Sequence, residues 1–533
     1  MRSLKEYKMN YRDVLAELKT DHNISWLKAE EMYEDEVYLW VGAGDFKAAV
    51  GFMSKKLSSP VSMLFAQDRR DRSEGFAVYC AFMSAPLKKW LFVCVSINGD
   101  SPRFDSLSNV VHSASLFERE IREMFGIEPA GNADGRRLRL HEEVWPADCF
   151  PLRKDFKAPA QIHPQQLHYG FIRGEGDGIF EIPVGPVHAG IIGPGHFRFS
   201  VAGEPIINLE LRLGFSHRGV EKLFEGKDSH AVRLAECVSG DSVIAHSSAF
   251  CRALEKIYKV VVPLRARYIR AICLELERMY NHAGGIGGIA LDVGFSFSSA
   301  LAAIIKEKIQ SLNRTISGHR FLKGVLCCGG VLQDIGDDKS RVLLETLRSV
   351  ERDFNELAGI LNSSVSFMDR VDTTGVLKRK TAEDLGVTGV AARASGLQID
   401  LRRDFSDIYE IARFRMPHET GGDVLARLRV RFFEFGESIR LIREFVQNLP
   451  QGGLRSAEIQ AQPGFALGYA EGWRGPVLYW IETGGTGAID RCKIVDPSFL
   501  NWQGLAYCVL GDIVPDFPVC NKSFDLSYSG NDL

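Results

Sequence analysis

The pattern of apolar residues changes near residue 179, and this change constrains the fold more than any other feature of the chain. Before it, short β-rich runs such as VYLWV and KKWLFVCVSI alternate with polar turns, which predicts an α+β domain over residues 1–155. After it, a few short strands lead into long helical segments. These predict a mainly helical domain with peripheral β elements over residues 179–533. Residues 156–178 are predicted to be a linker, and two domains agree with a length of 533 residues.

Apolar spacing also predicts individual elements. In the first domain, SASLFEREIREMFGI predicts a helix that Gly126 ends. In the second domain, GPVLYWIETGG followed by AIDRCKIVD predicts a β-hairpin whose turn lies at ETGG. The helices predicted for the second domain cover residues 229–258, 264–283, 298–317, 338–364 and 422–448.

Composition excludes several classes of function. The formal net charge of -3 offers no general attraction for nucleic acid or anionic lipid. The most apolar stretch, 283–305, is interrupted by Asp292 and is rich in Gly and Ser, so no membrane span is expected. The start, MRSLKEYKMNYRD, lacks the apolar core of a signal peptide. We therefore expect a cytoplasmic chain that reaches a membrane only through partners.

The cysteines argue against a metal or iron–sulfur centre held by this chain alone. None of the 11 cysteines forms a C-x-x-C pair, and they are scattered through apolar contexts. We interpret them as reduced and mostly buried thiols.

Long motifs that occur in a fixed order identify a family. LFEREIREMFGI…RRLRLHEEVWPADCFPLRKDF, within residues 116–156, resembles the 30-kDa subunit of respiratory complex I and the N-terminal domain of group 4 hydrogenase large subunits. FEIPVGPVHAGIIGPGHFRFSVAGE, LRLGFSHRGVEKLFEG, GVTGVAARASGLQIDLRRDF and CKIVDPSFLNW resemble the hydrogenase large subunit and the 49-kDa subunit of complex I. As a whole the chain is similar to the fused [NiFe] large subunits of the formate hydrogenlyase and hydrogenase-4 type.

The resemblance implies a place in a membrane-associated, complex I-like oxidoreductase that couples electron transfer to ion translocation. Its implied partners are a small iron–sulfur subunit similar to that of complex I, a ferredoxin-like subunit and antiporter-like membrane subunits. Iron–sulfur clusters are then expected in those partners, and no cofactor in this chain. NAD binding is implied only in the sense that it is a property associated with the wider family. The implied location is peripheral, on the cytoplasmic face of the inner membrane.

The family's nickel–iron ligands are absent from the matching positions. Active relatives carry V-C-G-x-C-G-x-A-H and D-P-C-x-x-C, whereas this chain has VSGDSVIAH at 238–246 and DLSYSG at 525–530. Nickel and iron need soft thiolates, so we expect no metal site and no hydrogenase activity of this chain's own. The residues at the four ligand positions are Ser239, Ser242, Ser527 and Gly530.

Two alternatives stay open, and with them the question whether the chain itself is catalytic. In complex I the same cavity binds quinone through a G-P-Q-H-P-x-x-H-G loop and a tyrosine. Here His188 keeps the first histidine, but Ile192 and Gly240 stand at the other two positions. The first alternative to a metal-free subunit of a coupled complex is that the cavity serves quinone or another small acceptor. The second is that the chain is purely a scaffold for the iron–sulfur subunit.

Four polar residues are predicted to line that cavity, and each also has a structural interpretation. His188 is a candidate proton donor or a loop histidine bonded to backbone, and His246 follows Ser242 by one helical turn. Glu221 either faces the cavity or fixes a helix start. Arg474 either binds an anion or pairs with Asp241.

Two further groups of polar residues are interpreted by their spacing. Arg278, Asn281 and His282 share one helical face and are expected to line the cavity or to bond between helices. Asp400, Arg402 and Arg403 are expected to form a charge cluster at a surface or an interface.

Overall fold

The structure, a computed structural model, describes residues 10–20, 22–158, 167–188, 192–405 and 408–533. The chain divides into two compact units, residues 1–170 with 383–386 and residues 171–382 with 387–533. Of the predicted linker, residues 159–166 lie outside the described part, and its described residues carry neither helix nor strand.

The first unit is built on a five-stranded sheet. Its strands are β1 (Trp26–Tyr33), β2 (Glu36–Val41), β3 (Met63–Asp68), β4 (Phe76–Ser84) and β5 (Lys89–Ile97), in the order β1-β2-β5-β4-β3. A small parallel pair joins β6 (Arg103–Asp105) to β7 (Glu128–Ala130), and the helices are α1 (Tyr11–Thr20), α2 (Phe46–Leu57) and α3 (Ser115–Phe125). Helix α2 packs on β4 and β5, and α3 packs on β3, so these strands are buried along nearly their whole length.

The predicted end of α3 is confirmed. Gly126 adopts a left-handed conformation, with φ at 66°, and its N–H bonds to the carbonyl of Arg122. A residue with a side chain is strained in that conformation, which explains why the helix ends at a glycine.

The second unit combines three small sheets with a helical core. Its strands are β8 (Ile179–Val184), β9 (His196–Ala202), β10 (Ile206–Arg212), β11 (Leu326–Cys327), β12 (Gly330–Val331), β13 (Gly464–Glu471), β14 (Pro476–Thr483) and β15 (Ile489–Val495). Strands β8 to β10, β11 with β12, and β13 to β15 each pair in antiparallel fashion. The predicted hairpin is therefore confirmed as β14 and β15.

The helices carry most of the second unit's core, and α7 lies at its centre. They are α4 (Val220–Phe224), α5 (Val232–Ala235), α6 (Val243–Ile257), α7 (Leu264–Asp292), α8 (Ser296–Ser317), α9 (Asp337–Ser363), α10 (Val365–Val371), the first residues of α11 (Arg379–Leu385), α12 (Gly389–Ala394), α13 (Leu401–Asp404), α14 (Ile408–Ile411), α15 (Val424–Gln447), α16 (Ser498–Cys508), α17 (Phe517–Phe524) and α18 (Tyr528–Asp532). Helix α7 contacts α6, α8, α15 and α17, and α6 packs on β13 and β14.

Glycines allow these elements to approach closely. A Cβ atom at Gly468 in β13 would lie 1.9 Å from the carbonyl oxygen of Ala249 in α6. A Cβ atom at Gly287 in α7 would lie 2.9 Å from the Cβ atom of Ala302 in α8. Only glycine fits where backbones pack this tightly.

Two helix predictions differ from the structure, for different physical reasons. The helix predicted over 264–283 continues to Asp292, because packing against α8 outweighs the low helix propensity of the glycines after residue 283. The single helix predicted over 229–258 is wrong. A loop over 236–242 separates α5 from α6, and hydrogen bonds from elsewhere hold that loop outside both helices.

The core of the second unit contains a cluster of buried ion pairs. Arg393 Nη1 lies 3.0 Å from Glu471, and Arg393 Nη2 lies 2.8 Å from Glu434. Arg402 lies 2.7 Å from Asp400 and 3.3 Å from Glu275. Charges of this kind can be buried because each faces an opposite charge at short distance.

The expectation that Asp400 and Arg402 belong to a charge cluster at a surface or an interface is wrong. Asp400 is 0% exposed and Arg402 is 2% exposed, whereas Arg403 does lie at the surface. The charged run DLRRD is drawn inward because α7, α12 and α15 supply opposite charges to it.

We expect Glu434→Gln to destabilise the second unit by about 3 kcal/mol or more. The substitution removes the carboxylate that faces Arg393 at 2.8 Å and His282 at 2.7 Å, so both are left buried without its charge. Differential scanning calorimetry of the full chain measures the loss as a lower transition temperature.

Glu351→Gln is the matched control for this substitution. Glu351 pairs with Arg443 but is 42% exposed, so its loss should cost less than about 1 kcal/mol. Equal shifts for the two variants would show that the buried cluster contributes no more than a surface pair.

Candidate functional site

The two segments predicted to carry the vacated ligand positions meet in the structure. The Oγ atoms of Ser239 and Ser527 lie 2.8 Å apart, although 288 residues separate them in the chain. Ser239 is 1% exposed, Ser242 is 3% exposed and Ser527 is 7% exposed. The site is therefore a buried contact between the loop before α6 and the loop before α18.

The local fold explains how each segment presents its serines. Ser242 directly precedes α6, and its carbonyl accepts the N–H of His246. Ser527 is the N-cap of α18, because its Oγ accepts the N–H of Gly530 at 2.9 Å. Serine is a preferred residue at an N-cap, so Ser527 has a structural role beside its contact with Ser239.

An ion pair joins the first loop to the segment after β13. Arg474 donates from Nη1 and Nη2 to the two carboxylate oxygens of Asp241, both at 2.7 Å, and its Nε donates to the carbonyl of Asp525. The guanidinium also lies 3.9 Å from the ring centre of Trp473. The predicted pairing of Arg474 with Asp241 is thus present in the structure, and it bridges three distant segments.

The charge of this pair is stable over the physiological pH range. Burial opposes ionisation of Asp241, but the adjacent Arg474 guanidinium lowers the pKa of this carboxyl to about 2. The Asp241 side chain is 39% exposed and that of Arg474 is 5% exposed. The pair therefore has its anionic side towards solvent and its cationic side towards the core.

Hydrogen bonds to a backbone carbonyl hold the loop before α6 in place. The carbonyl of Asp241 accepts hydrogen bonds from Asn281 Nδ2 at 2.7 Å, Tyr280 OH at 3.1 Å and Trp473 Nε1 at 3.1 Å. His282, which was expected on the same helical face as Asn281, instead bonds to Glu434 of α15. The predicted bonding between helices is confirmed for His282, while Asn281 contacts the loop.

His246 belongs to a fully buried polar group next to the serines. Its Nδ1 lies 2.9 Å from the hydroxyl of Tyr479, and its Nε2 lies 3.1 Å from Oδ2 of Asp496. Burial opposes ionisation of Asp496, but the hydrogen bond from His246 lowers the pKa of this carboxyl. A Cβ atom at Gly530 would lie 2.5 Å from Asp496 Oδ2, so this carboxylate takes up the space in which a side chain at position 530 would lie.

Sequence reasoning missed Asp496 and Glu277. Glu277 in α7 accepts the N–H groups of Ile244 and Ala245 at 2.6 and 3.1 Å, and burial raises its pKa to about 8. It thereby fixes the first turn of α6. Its spacing of four residues from Asn281 is the signal that could have found it.

Asp496 also caps a helix, and this leaves a signal in the sequence. Its Oδ1 accepts the N–H of Ser498 at 2.8 Å, just where α16 begins. An aspartate two residues before a helical serine, as in DPS, is a pattern typical of such a cap.

Glu221 and His188 lie in other surroundings. Glu221 binds β15 through Arg491 at 2.7 Å, Lys493 at 3.1 Å and the N–H of Ile494 at 3.0 Å. It fixes helix α4, as its structural interpretation predicted. His188 is partly exposed in the loop after β8, with its ring centre 6.4 Å from that of Phe197. Residues 189–191 of that loop lie outside the described residues.

Residues 216–219, the SHRG motif, bind both the loop before α6 and helix α18. The side chain of Arg218 donates to the carbonyls of Cys237 and Val238, next to Ser239. Asp532 accepts from the N–H and the hydroxyl of Ser216 at 2.9 and 2.7 Å. The motif therefore ties the loop before α6 to helix α18.

Comparison with known families agrees with both units. The family described as the 30 Kd subunit of respiratory-chain NADH dehydrogenase matches residues 39–161, and that of its 49 Kd subunit matches residues 292–463. In solved structures, the chain is similar to one from the membrane-bound sulfane sulfur reductase, an archaeal respiratory membrane complex. The TM-score is 0.63 at 25% identity, and the match covers 66% of this chain and 98% of that one.

Two curated relatives from Escherichia coli (strain K12) span almost the whole chain. Formate hydrogenlyase subunit 5 is 32% identical, with 94% of this chain and 89% of the relative covered. Hydrogenase-4 component G is 31% identical, with 97% and 92% covered. The carbon monoxide-induced hydrogenase of Rhodospirillum rubrum is 31% identical over 65% of this chain and 97% of its own length.

None of the helices within the described ranges combines the length and the apolarity that a bilayer crossing requires. The two-unit architecture, the two matched subunit families and the nearly full-length relatives agree with one another. This chain therefore belongs to the family of fused hydrogenase large subunits of the formate hydrogenlyase and hydrogenase-4 type, which are related to the 30-kDa and 49-kDa subunits of complex I.

Proposed function

We propose that this chain is the large subunit of a membrane-associated, energy-converting oxidoreductase complex and that it works without a nickel–iron centre of its own. Relatives named as subunits of formate hydrogenlyase and hydrogenase-4 support the place in a multisubunit complex. The similar solved structure is described as a sulfane sulfur reductase within a respiratory membrane complex. That description supports a use of this fold in electron transfer to an acceptor other than protons.

The observation that carries the proposal is the direct bond between Ser239 and Ser527 at 2.8 Å. Nickel and iron are bridged by soft, deprotonated thiolates, whereas serine hydroxyls are hard and keep their protons at neutral pH. At the fourth position, the Asp496 carboxylate lies where a ligand side chain at Gly530 would start. These residues do not fit a nickel–iron centre.

In this proposal the role of the chain's own residues is structural: buried ion pairs and hydrogen bonds join distant segments of the second unit. Arg474 and Asp241 close the space that faces Ser242, and Asp525 accepts from Arg474 on the opposite side. Electrons would pass through clusters held by a small iron–sulfur partner, with ferredoxin-like and antiporter-like subunits completing the complex. Movement of the joined segments would couple electron transfer to ion translocation, with the chain peripheral to the membrane.

The quinone alternative has less support at this site. The tyrosine of the complex I pattern is replaced by Gly240, which is exposed and has open space around it. The second histidine is replaced by Ile192, which is 45% exposed. Neither residue can donate a proton to a reduced quinone.

We expect the purified complex to contain iron from its partners but no stoichiometric nickel. Inductively coupled plasma mass spectrometry measures both metals per chain, with Escherichia coli formate hydrogenlyase as the positive control. One nickel per large subunit, together with hydrogen–deuterium exchange activity, would contradict the proposal.

We expect Gly530→Ala to destabilise the chain by about 1–3 kcal/mol, because the added methyl group meets Asp496 within 2.6 Å. The control is Gly359→Ala on the exposed side of α9, where a Cβ atom meets nothing within 4 Å. That change should leave stability equal or raise it slightly, since alanine favours helix more than glycine does. Calorimetric transition temperatures compare the two. A tolerated Gly530→Ala would show that the space at position 530 is still open to a ligand.

A further inference from the structure

A cavity lies apart from the serine site, between α6, α7 and β13. Its volume is about 420 Å³, which is within the range of small-molecule pockets. Apolar side chains supply much of its wall, among them Ala271, Leu274 and Leu401. None of the residues that bring Ser239 and Ser527 together lines it.

Arg252 is held rigidly at the wall of this cavity. Its guanidinium carbon lies 3.8 Å from the ring centre of Tyr469, and its Nη2 donates to the Tyr469 hydroxyl at 2.7 Å. A planar guanidinium that is stacked on an aromatic ring loses little freedom when it binds a carboxylate. Both contacts are made to a neutral residue, so the charge of Arg252 is not neutralised by them.

The other charges of the wall are neutralised by partners. Arg270 makes two bonds to the carboxylate of Glu255, at 2.6 and 3.0 Å. Arg402 pairs with Asp400 at 2.7 Å, and Glu471 pairs with Arg393 at 3.0 Å. No carboxylate among the described residues forms an ion pair with Arg252.

We propose that this cavity binds a small organic anion, a carboxylate on an apolar or aromatic body, with Arg252 holding the carboxylate. A guanidinium offers parallel N–H groups that match the two oxygens of a carboxylate. The apolar wall would hold the body of the ligand out of water. This proposal is independent of the function proposed for the chain.

Isothermal titration calorimetry of the full chain with 2-naphthoate and its neutral analogue 2-naphthamide tests the proposal. We expect 2-naphthoate to bind at least about ten-fold more tightly, since a hydrogen bond to a charged group is worth that factor or more. Arg252→Met should weaken 2-naphthoate by about ten-fold or more and leave 2-naphthamide unchanged. Equal affinities for the two compounds, or an unchanged affinity in Arg252→Met, would overturn the proposal.

Two controls separate loss of binding from loss of folding. Arg352→Met removes an arginine that is 75% exposed on α9 and should leave 2-naphthoate binding unchanged. In the wild-type chain, 2-naphthoate should protect Arg252 from modification by phenylglyoxal while Arg352 is still modified, as mass spectrometry can measure. Equal modification of Arg252 with and without 2-naphthoate would count against the site even if Arg252→Met fails to fold.

Discussion

The ion pair between Arg474 and Asp241 is the contact on which the arrangement of the serine site depends. It joins the loop before α6 to the segment after β13, while the same guanidinium binds the carbonyl of Asp525 after α17. Because the Arg474 side chain is only 5% exposed, its charge requires a partner there. Three segments that are far apart in the chain are thus held by one cation, and Ser239 and Ser527 meet as a result.

The buried polar side chains around this contact form two sets that have different structural roles. The first set accepts hydrogen bonds from backbone N–H groups, as Glu277 does at the start of α6 and Asp496 does at the start of α16. The second set is the buried cluster of Arg393, Glu434 and their neighbours, in which opposite charges from different helices and strands form ion pairs. Both sets place ionisable side chains in the core, so the stability of the second unit depends on paired charges as well as on apolar packing.

In the proposed function, the fold keeps its form at this site without a metal. Ser239 and Ser527 stand at two of the positions where the family resemblance places metal ligands, and they make one hydrogen bond to each other; Ser527 also serves as a helix cap. Asp496 then lies against Gly530, where no side chain is present. Hydrogen bonds and an ion pair hold these segments together, and the electron-transfer role that we propose for the chain would need no metal at this point.

The sequence by itself determined the order of the two units, the end of α3 at Gly126, the hairpin of β14 and β15, and the family. These features depend on local periodicity, on single conformations such as that of Gly126, and on the order of motifs. It also identified the four positions without thiols. Only the tertiary structure decided which other groups surround those positions, because Asp496 and Glu277 come to the site from distant elements. It likewise buried Asp400 and Arg402, since a charged run enters a core only where other helices provide opposite charges, and local sequence does not encode those partners.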